Sequence, residues 1–368
     1  MKKNKLLIWG GILTLVVIFA TVVLKNRQLW SHDAAIHVGV VLPLSGEMSS
    51  YGVDCRDGIK HAFESMGKQF DLSIYDSKGE PKTAASICSK LIDIDCVDLI
   101  IGDMFSSTTL AMSSIANKTK TILLSPTASS REIPQAGIYS LSVFPPETFE
   151  ADMVADFVKA KYAKPAVLFE KVAASEAMAN EFKSKFDGGV IFESFDSDLK
   201  DFRNIVHKLD RSGSDIVFLV TYKNNAIKII HLLKELDIAI DIVGQSALYD
   251  PEMLSHLKNI KFNFYLTGPA FSTETLNPGE IEIVNEFKGK YNKDMNQMSV
   301  QGFIAATVGM KLLELKNSSR YVKGDILGIK TSILGVPFRF ADDMTSCSGL
   351  SLYKVDSGKF VQMNGIQE

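Results

Sequence analysis

At 368 residues, 46% of them hydrophobic and 23% charged, the chain exceeds what one hydrophobic core usually serves and is too apolar for long disorder. Formal net charge is -3, and because the first 35 residues hold five basic side chains against one acidic, the remainder stands at -7. A mildly acidic body without a basic stripe argues against nucleic acid as a partner.

The first expected element is a targeting segment. Lys2, Lys3 and Lys5 precede an uncharged, mostly apolar run from Leu6 to Leu24, closed by Lys25 and Arg27. As a helix this run would rise about 28 Å, near the thickness of a hydrocarbon core. It outruns the usual signal-peptide core of about 7–15 residues. No convincing small-x-small cleavage site follows, and the first cysteine is Cys55. Residues 1–35 therefore read as a signal or transmembrane anchor with its linker. An uncleaved membrane tether and a cleaved export signal both remain, and both place the body outside the cytoplasm.

From Ile36 onward an α/β rhythm begins. His37–Leu42 is a buried strand, and Tyr51–Met66 carries Ile59, Ala62, Phe63 and Met66 at helical spacing. Leu72–Asp76 is the second strand. A helix starts at Pro81 and buries Ala84, Ile87, Cys88 and Leu91. Asp98–Ile101, a helix over 106–117, and Thr121–Leu124 complete βαβαβαβ, which predicts a parallel sheet with helices on both faces. Three strand-end loops are expected to open helices: 43–46, 102–107 and 125–129. Ligands of open α/β sheets bind outside the carboxyl ends of the strands, and unpaired amides at helix starts attract carboxylates. Ser and Thr from 106 to 108 suit N-capping as well.

Pro145-Pro146 marks a boundary, after which the rhythm restarts. Strands are expected at 166–169, 190–193, 215–220 and 242–244. Helices are expected at 175–186, at 201–211 and after an Asn224 cap. Phe264–Thr267 is a further strand. Helical patterns follow over 280–291, 300–315 and 322–332, and the tail from 336 to 362 alternates like strands. Four cysteines (Cys55, Cys88, Cys96 and Cys347) form no metal-ligand cluster. A disulfide between Cys88 and Cys96 and simple buried thiols are both open.

The order of loops resembles the leucine/isoleucine/valine-binding protein family, the type I periplasmic substrate-binding proteins of ABC importers. Val40–Gly46, Tyr51-Gly52, Asp57-Gly58, Tyr75-Asp76, Pro81-Lys82, Val97–Gly102, Ser106-Ser107 and Ser125–Ala128 carry the likeness. Leu352–Val355 with Gly358–Val361 extends it to the tail. The resemblance implies two Rossmann-like lobes joined by three hinge crossovers, near 142–146, 269–275 and 331–336. Lobe one would hold 36–144 with 276–333, and lobe two 145–275 with 334–368.

By the same resemblance Ser106 matches the serine that holds an amino acid's carboxylate, with Ser107 beside it. Thr127, Ala128 and Ser129 match the segment offering backbone groups and a hydroxyl. Tyr51 matches an aromatic position of the cleft and Tyr222 a second-lobe tyrosine; Phe105, read from the chain itself, either lines the cleft or packs beneath it. The acidic residue that pairs with a ligand ammonium falls at or near Ser246, which brings no charge. A desolvated ammonium without an anionic partner costs several kcal/mol. Either another carboxylate serves, with Glu170 the first candidate, or the ligand is not an α-amino acid.

Catalytic signatures are missing. Six scattered histidines show no ligand spacing, and Gly-x-Ser-x-Gly, a P-loop and Gly-x-Gly-x-x-Gly are absent. Asp76 and Asp103 at strand ends read as solvated loop carboxylates. No enzyme activity, metal or cofactor is expected. The reading is an extracytoplasmic binding protein that takes a small polar or carboxylate-bearing ligand to an ABC permease. The alternative is a sensing module of the same fold acting through a separate partner.

Overall fold

The computed structural model describes residues 35–67, 70–271 and 276–363. The first sheet runs β2(Phe70–Asp76)-β1(Ile36–Leu42)-β3(Leu99–Gly102)-β4(Ile122–Ser125)-β5(Ser140–Ser142). All its neighbours are parallel. Helices α2(Pro81–Asp93) and α3(Ser106–Thr119) cover one face through Ala84, Cys88, Leu91, Met112 and Ala116. The other face is covered by α1(Ser49–Ser65) and, from far along the chain, α10(Pro278–Tyr291) and α11(Gln297–Asn317). Strands buried on both faces need continuous apolar runs, as Leu99–Ile101 and Ile122–Leu124 supply.

Contact between α1 and α11 is made backbone to backbone. A Cβ on Gly58 would lie 2.0 Å from the Ser299 carbonyl oxygen, and one on Gly302 would lie 2.3 Å from that of Cys55. Small residues at these two points let the helices approach to main-chain distance.

The second sheet runs β14(Lys359–Gln362)-β13(Leu350–Asp356)-β10(Phe264–Pro269)-β9(Asp241–Gly244)-β8(Ile216–Val220)-β6(Pro165–Glu170)-β7(Ile191–Phe195). From β7 to β10 it is parallel. Its last two strands are antiparallel additions, a departure from the all-parallel expectation. Helices α5(Glu147–Lys161) and α6(Ala173–Ser184) pack on one face, and α7(Arg203–Ser212) and α8(Lys223–Glu235) on the other. Tyr222, not Asn224, is the N-cap of α8. The other helices of the described residues are short, α4(Glu132–Gln135), α9(Pro251–His256) and α12(Lys323–Leu327). The expected helix over 322–332 stops at Leu327, where β11(Lys330–Ile333) pairs with β12(Val336–Arg339).

The chain passes between sheets three times. The first passage follows Ser142, and the second falls between Pro269 and Leu276, partly outside the described residues. The third comes later than 331–336. Val336, Phe338, Phe340 and Met344 still pack into the first core, and the chain rejoins the second sheet only at Leu350. The hairpin has one apolar face, and that face needs the first core to cover it. The passages are bonded to one another. Ser346 Oγ donates to the Val143 carbonyl at 2.8 Å, Ala270 N donates to the Gly349 carbonyl at 3.0 Å, and Tyr353 Oη donates to the Pro269 carbonyl at 2.5 Å.

All four cysteines are free thiols, with Cys55 and Cys88 buried. Among the described residues no helix is long and apolar enough to cross a membrane. The expected anchor over 6–24 lies outside the described residues.

Candidate functional site

At the carboxyl end of the first sheet, the loops after β3 and β4 are sewn together. Thr127 Oγ1 donates to the Met104 carbonyl at 2.8 Å. Ser125 Oγ donates to the Asp103 carbonyl at 2.5 Å and accepts from the Ala128 amide at 2.9 Å. Ser106 Oγ accepts from the Ser130 amide at 3.2 Å, which leaves its hydroxyl hydrogen for a ligand. Ala128 has spent its amide, so the group it can offer is its carbonyl oxygen.

Two expectations are corrected here. Ser106 and Ser107 do not cap α3. The N-cap is Phe105, and the hydroxyls of Thr108 and Thr109 turn back to its carbonyl. The loop at 125–129 opens no helix of useful length, since only the four-residue α4 follows it. The carboxylates differ as well. Asp76 is only partly exposed. Burial raises its affinity for protons, but bonds from Ser45 Oγ and the Lys78 and Leu44 amides outweigh this and hold it below the usual carboxylate range. Asp103 is fully buried rather than solvated. It accepts the Met104 amide, yet burial pushes its carboxyl up to about 6.

Opposite these loops stand groups of the second sheet: the start of α6, Tyr222, the Gln245–Ala247 turn after β9, and Glu150 of α5. Between them lies a cavity of about 320 Å3. Tyr51, Phe105, Ser106, Ser107, Thr127, Ala128, Ser129, Tyr222 and Ser246 all line it, so the structure brings these nine together, though not Glu170. Tyr222 meets both Tyr51 and Phe105 edge to face, with ring centroids 5.9 and 6.2 Å apart. Tyr51 Oη also accepts from the Lys223 amide at 2.8 Å, a bond from α1 of the first lobe to α8 of the second. Lys223 itself is held by Asp250 and Glu252 at 2.8 and 2.7 Å.

Met48, Met104, Phe144, Val172, Met178 and Met298 give the cavity an apolar body that sequence reading did not assign, and exposed Lys78 stands at its rim. Glu170 is not part of it. That carboxylate is buried, accepts from Thr221 Oγ1 at 2.6 Å, and lines an adjoining recess of about 340 Å3 with Lys200 and Lys228. Tyr51, Tyr222 and Met48 are shared between the two spaces.

The acid at the cavity is Glu150, 1% exposed. Its Oε1 accepts the Ser246 amide at 2.5 Å and the Thr267 hydroxyl, and its Oε2 accepts the Ser246 hydroxyl at 3.0 Å. Burial raises its proton affinity against the pull of those donors. The only sequence signal for it is position, one turn into the helix that follows Pro145-Pro146. Among the described residues no group of three or more His, Cys, Asp or Glu side chains could hold a metal ion.

Two α/β lobes linked by three bonded passages, with a walled cavity at the carboxyl ends of their strands, define the type I periplasmic binding architecture. The model of the periplasmic binding protein family matches residues 35–320, and the chain belongs to that family. The chain is 22% identical over 369 residues to the Leu/Ile/Val-binding protein BraC3 of Rhizobium johnstonii, covering 95% of this chain and 99% of that one. The branched-chain amino acid transporter substrate-binding protein LivJ of Streptococcus pneumoniae, solved with isoleucine, superposes with a TM-score of 0.78. It has 21% identity and spans 89% of this chain and all of that one. A solute-binding protein of an ABC transporter from R. palustris, solved with benzoate, gives 0.80 at 20% identity, over 89% of this chain and 95% of the other.

Proposed function

We propose that this protein captures a small carboxylate-bearing solute outside the cytoplasm and presents it to the permease of an ABC importer, tethered to the membrane by residues 6–24. The observation that carries this reading is the cavity itself, whose walls come from both lobes. A ligand there touches both lobes only when they are closed, so it favours the closed state by differential affinity. Isoleucine and benzoate, the ligands of the two solved relatives, share a carboxylate and an apolar body. This cavity offers matching features in the free Ser106 hydroxyl and the methionine and phenylalanine walls.

Thermal-shift screening of amino acids, aromatic and aliphatic carboxylates and sugars tests the reading. A true ligand at 100 times its Kd adds about 2.7 kcal/mol of apparent stability. No shift with any carboxylate would overturn it. Ser106→Ala is expected to weaken the ligand by about 2 kcal/mol, the worth of a hydrogen bond to a charged group, read by titration calorimetry. Unchanged affinity would remove Ser106 from the site. Tyr51→Phe deletes the inter-lobe bond to Lys223 and should weaken binding about fivefold. Equal affinity in that variant would mean that the lobes close without it.

A further inference from the structure

We infer that the recess beside the cavity is a second compartment, which receives a neutral hydrogen-bond-donating group, a hydroxyl or an amide, at the far end of the solute. This rests on the solute-binding reading above and deepens it: the ligand is a carboxylate extended by a polar end. The recess, of about 340 Å3, has walls from both lobes and shares Met48, Tyr51 and Tyr222 with the cavity. Glu170, the last residue of β6, lines it while only 2% exposed. A carboxylate has about four acceptor positions, and Thr221 Oγ1 fills one of those on Glu170. Among the described residues nothing else hydrogen-bonds to it, and no lysine, arginine or histidine pairs with it. The adjacent Lys171 is committed to Asp196 at 3.1 Å. A carboxylate out of water needs a cation or further donors, and leaving it short is costly.

The rest of the lining decides which kind of donor fits. Glu47 and Glu170 are its acids, Lys200 and Lys228 its bases, so the formal charges of the recess cancel. An ammonium would add an unbalanced charge beside two lysines, whereas a hydroxyl or amide N–H donates to Glu170 and adds none. Part of the wall is fixed in place. Buried Asn225 donates from Nδ2 to the Ser197 carbonyl at 3.2 Å, and its Oδ1 accepts from Lys228 Nζ at 3.0 Å. The two tyrosines shared with the cavity are held unequally. Tyr51 Oη is tied to the Lys223 amide, but the Tyr222 hydroxyl makes no hydrogen bond among the described residues, and its ring meets Tyr51 and Phe105 edge to face. Tyr222 is therefore the side chain that turns to let an elongated solute reach from one space into the other.

The experiment titrates the full chain calorimetrically with straight-chain carboxylates of about six, eight and ten carbons, each plain, with a terminal hydroxyl, or with a terminal ammonium. At the length that reaches Glu170 the hydroxy acid is expected to bind about tenfold more tightly than its plain parent, the worth of a hydrogen bond to a charged group. The ammonium-ended acid should bind no better than the parent. Glu170→Met should erase the hydroxyl preference, while Ser106→Ala weakens both members of a pair alike. Hydroxy acids that bind no better than their parents at every length overturn the assignment and leave the solute-binding reading intact. A preference for the terminal ammonium does the same, as does a hydroxyl preference that survives Glu170→Met. If none of these acids binds, the assignment falls, and the thermal-shift screen decides separately whether the solute-binding reading falls with it. The wild-type comparison is decisive even if the Glu170 variant does not fold.

Discussion

At pH 8 Asp103→Asn is expected to be more stable than the parent protein by about 3 kcal/mol. The carboxyl is fully buried in the loop that carries Phe105 and Ser106, and its pKa is raised from 3.8 in the unfolded reference to about 6. Between those values the folded state holds a proton that the unfolded state has lost, so stability falls as pH rises. The contribution is complete below about pH 4 and gone above about pH 6, and every tenfold gain in proton affinity corresponds to about 1.4 kcal/mol. Asparagine keeps an oxygen for the Met104 amide and cannot ionise. Denaturant unfolding of both proteins at pH 4 and pH 8 checks this. The advantage should open between the two conditions, and an equal gap at both would show that ionisation of Asp103 is not its source.

Gly58→Ala is expected to cost about 3 kcal/mol, at the upper end for overpacking. The added carbon would stand 2.0 Å from the Ser299 carbonyl oxygen, a main-chain atom that no rotamer can move aside. Gly302 faces the same difficulty from the opposite helix, so α1 and α11 have nowhere to give. Gly289 is the control. It sits on the exposed side of α10 with no atom within 4 Å of an added Cβ, and alanine there should stabilise by up to about 1 kcal/mol. Urea midpoints of the two variants should move in opposite directions. A Gly58→Ala protein within about 0.5 kcal/mol of the parent, the spread of an ordinary surface change, would mean that the helices part freely.

The parallel strands and covering helices of the first lobe were readable from sequence because burial on both faces demands uninterrupted apolar runs. Leu99–Ile101 and Ile122–Leu124 are of that kind. The nine cavity residues were readable because strand-end loops and family resemblance converge on the same positions, and all nine meet at one cavity. Glu150 was not readable. Its neighbours in sequence are ordinary, and its place beside Ser246 depends on a contact across 96 positions of sequence. The late third passage escaped for a similar reason. The alternation at 336–340 announces a strand but not which core will receive it, and pairing with Lys330–Ile333 decides that. Capping at α3 and α8 misled because serine and asparagine favour cap positions without being required there.

Lateral bonds between the passages carry a consequence for motion. Ser346 grips the first strand of the link, Gly349 the second, and Tyr353 braces the second from the sheet beyond. Tied in this way, the three cannot flex independently. Any opening of the halves is then expected to be a swing about a single axis, with little sliding or screwing. Distances measured across the mouth from two widely separated label pairs should then change in step as ligand is added.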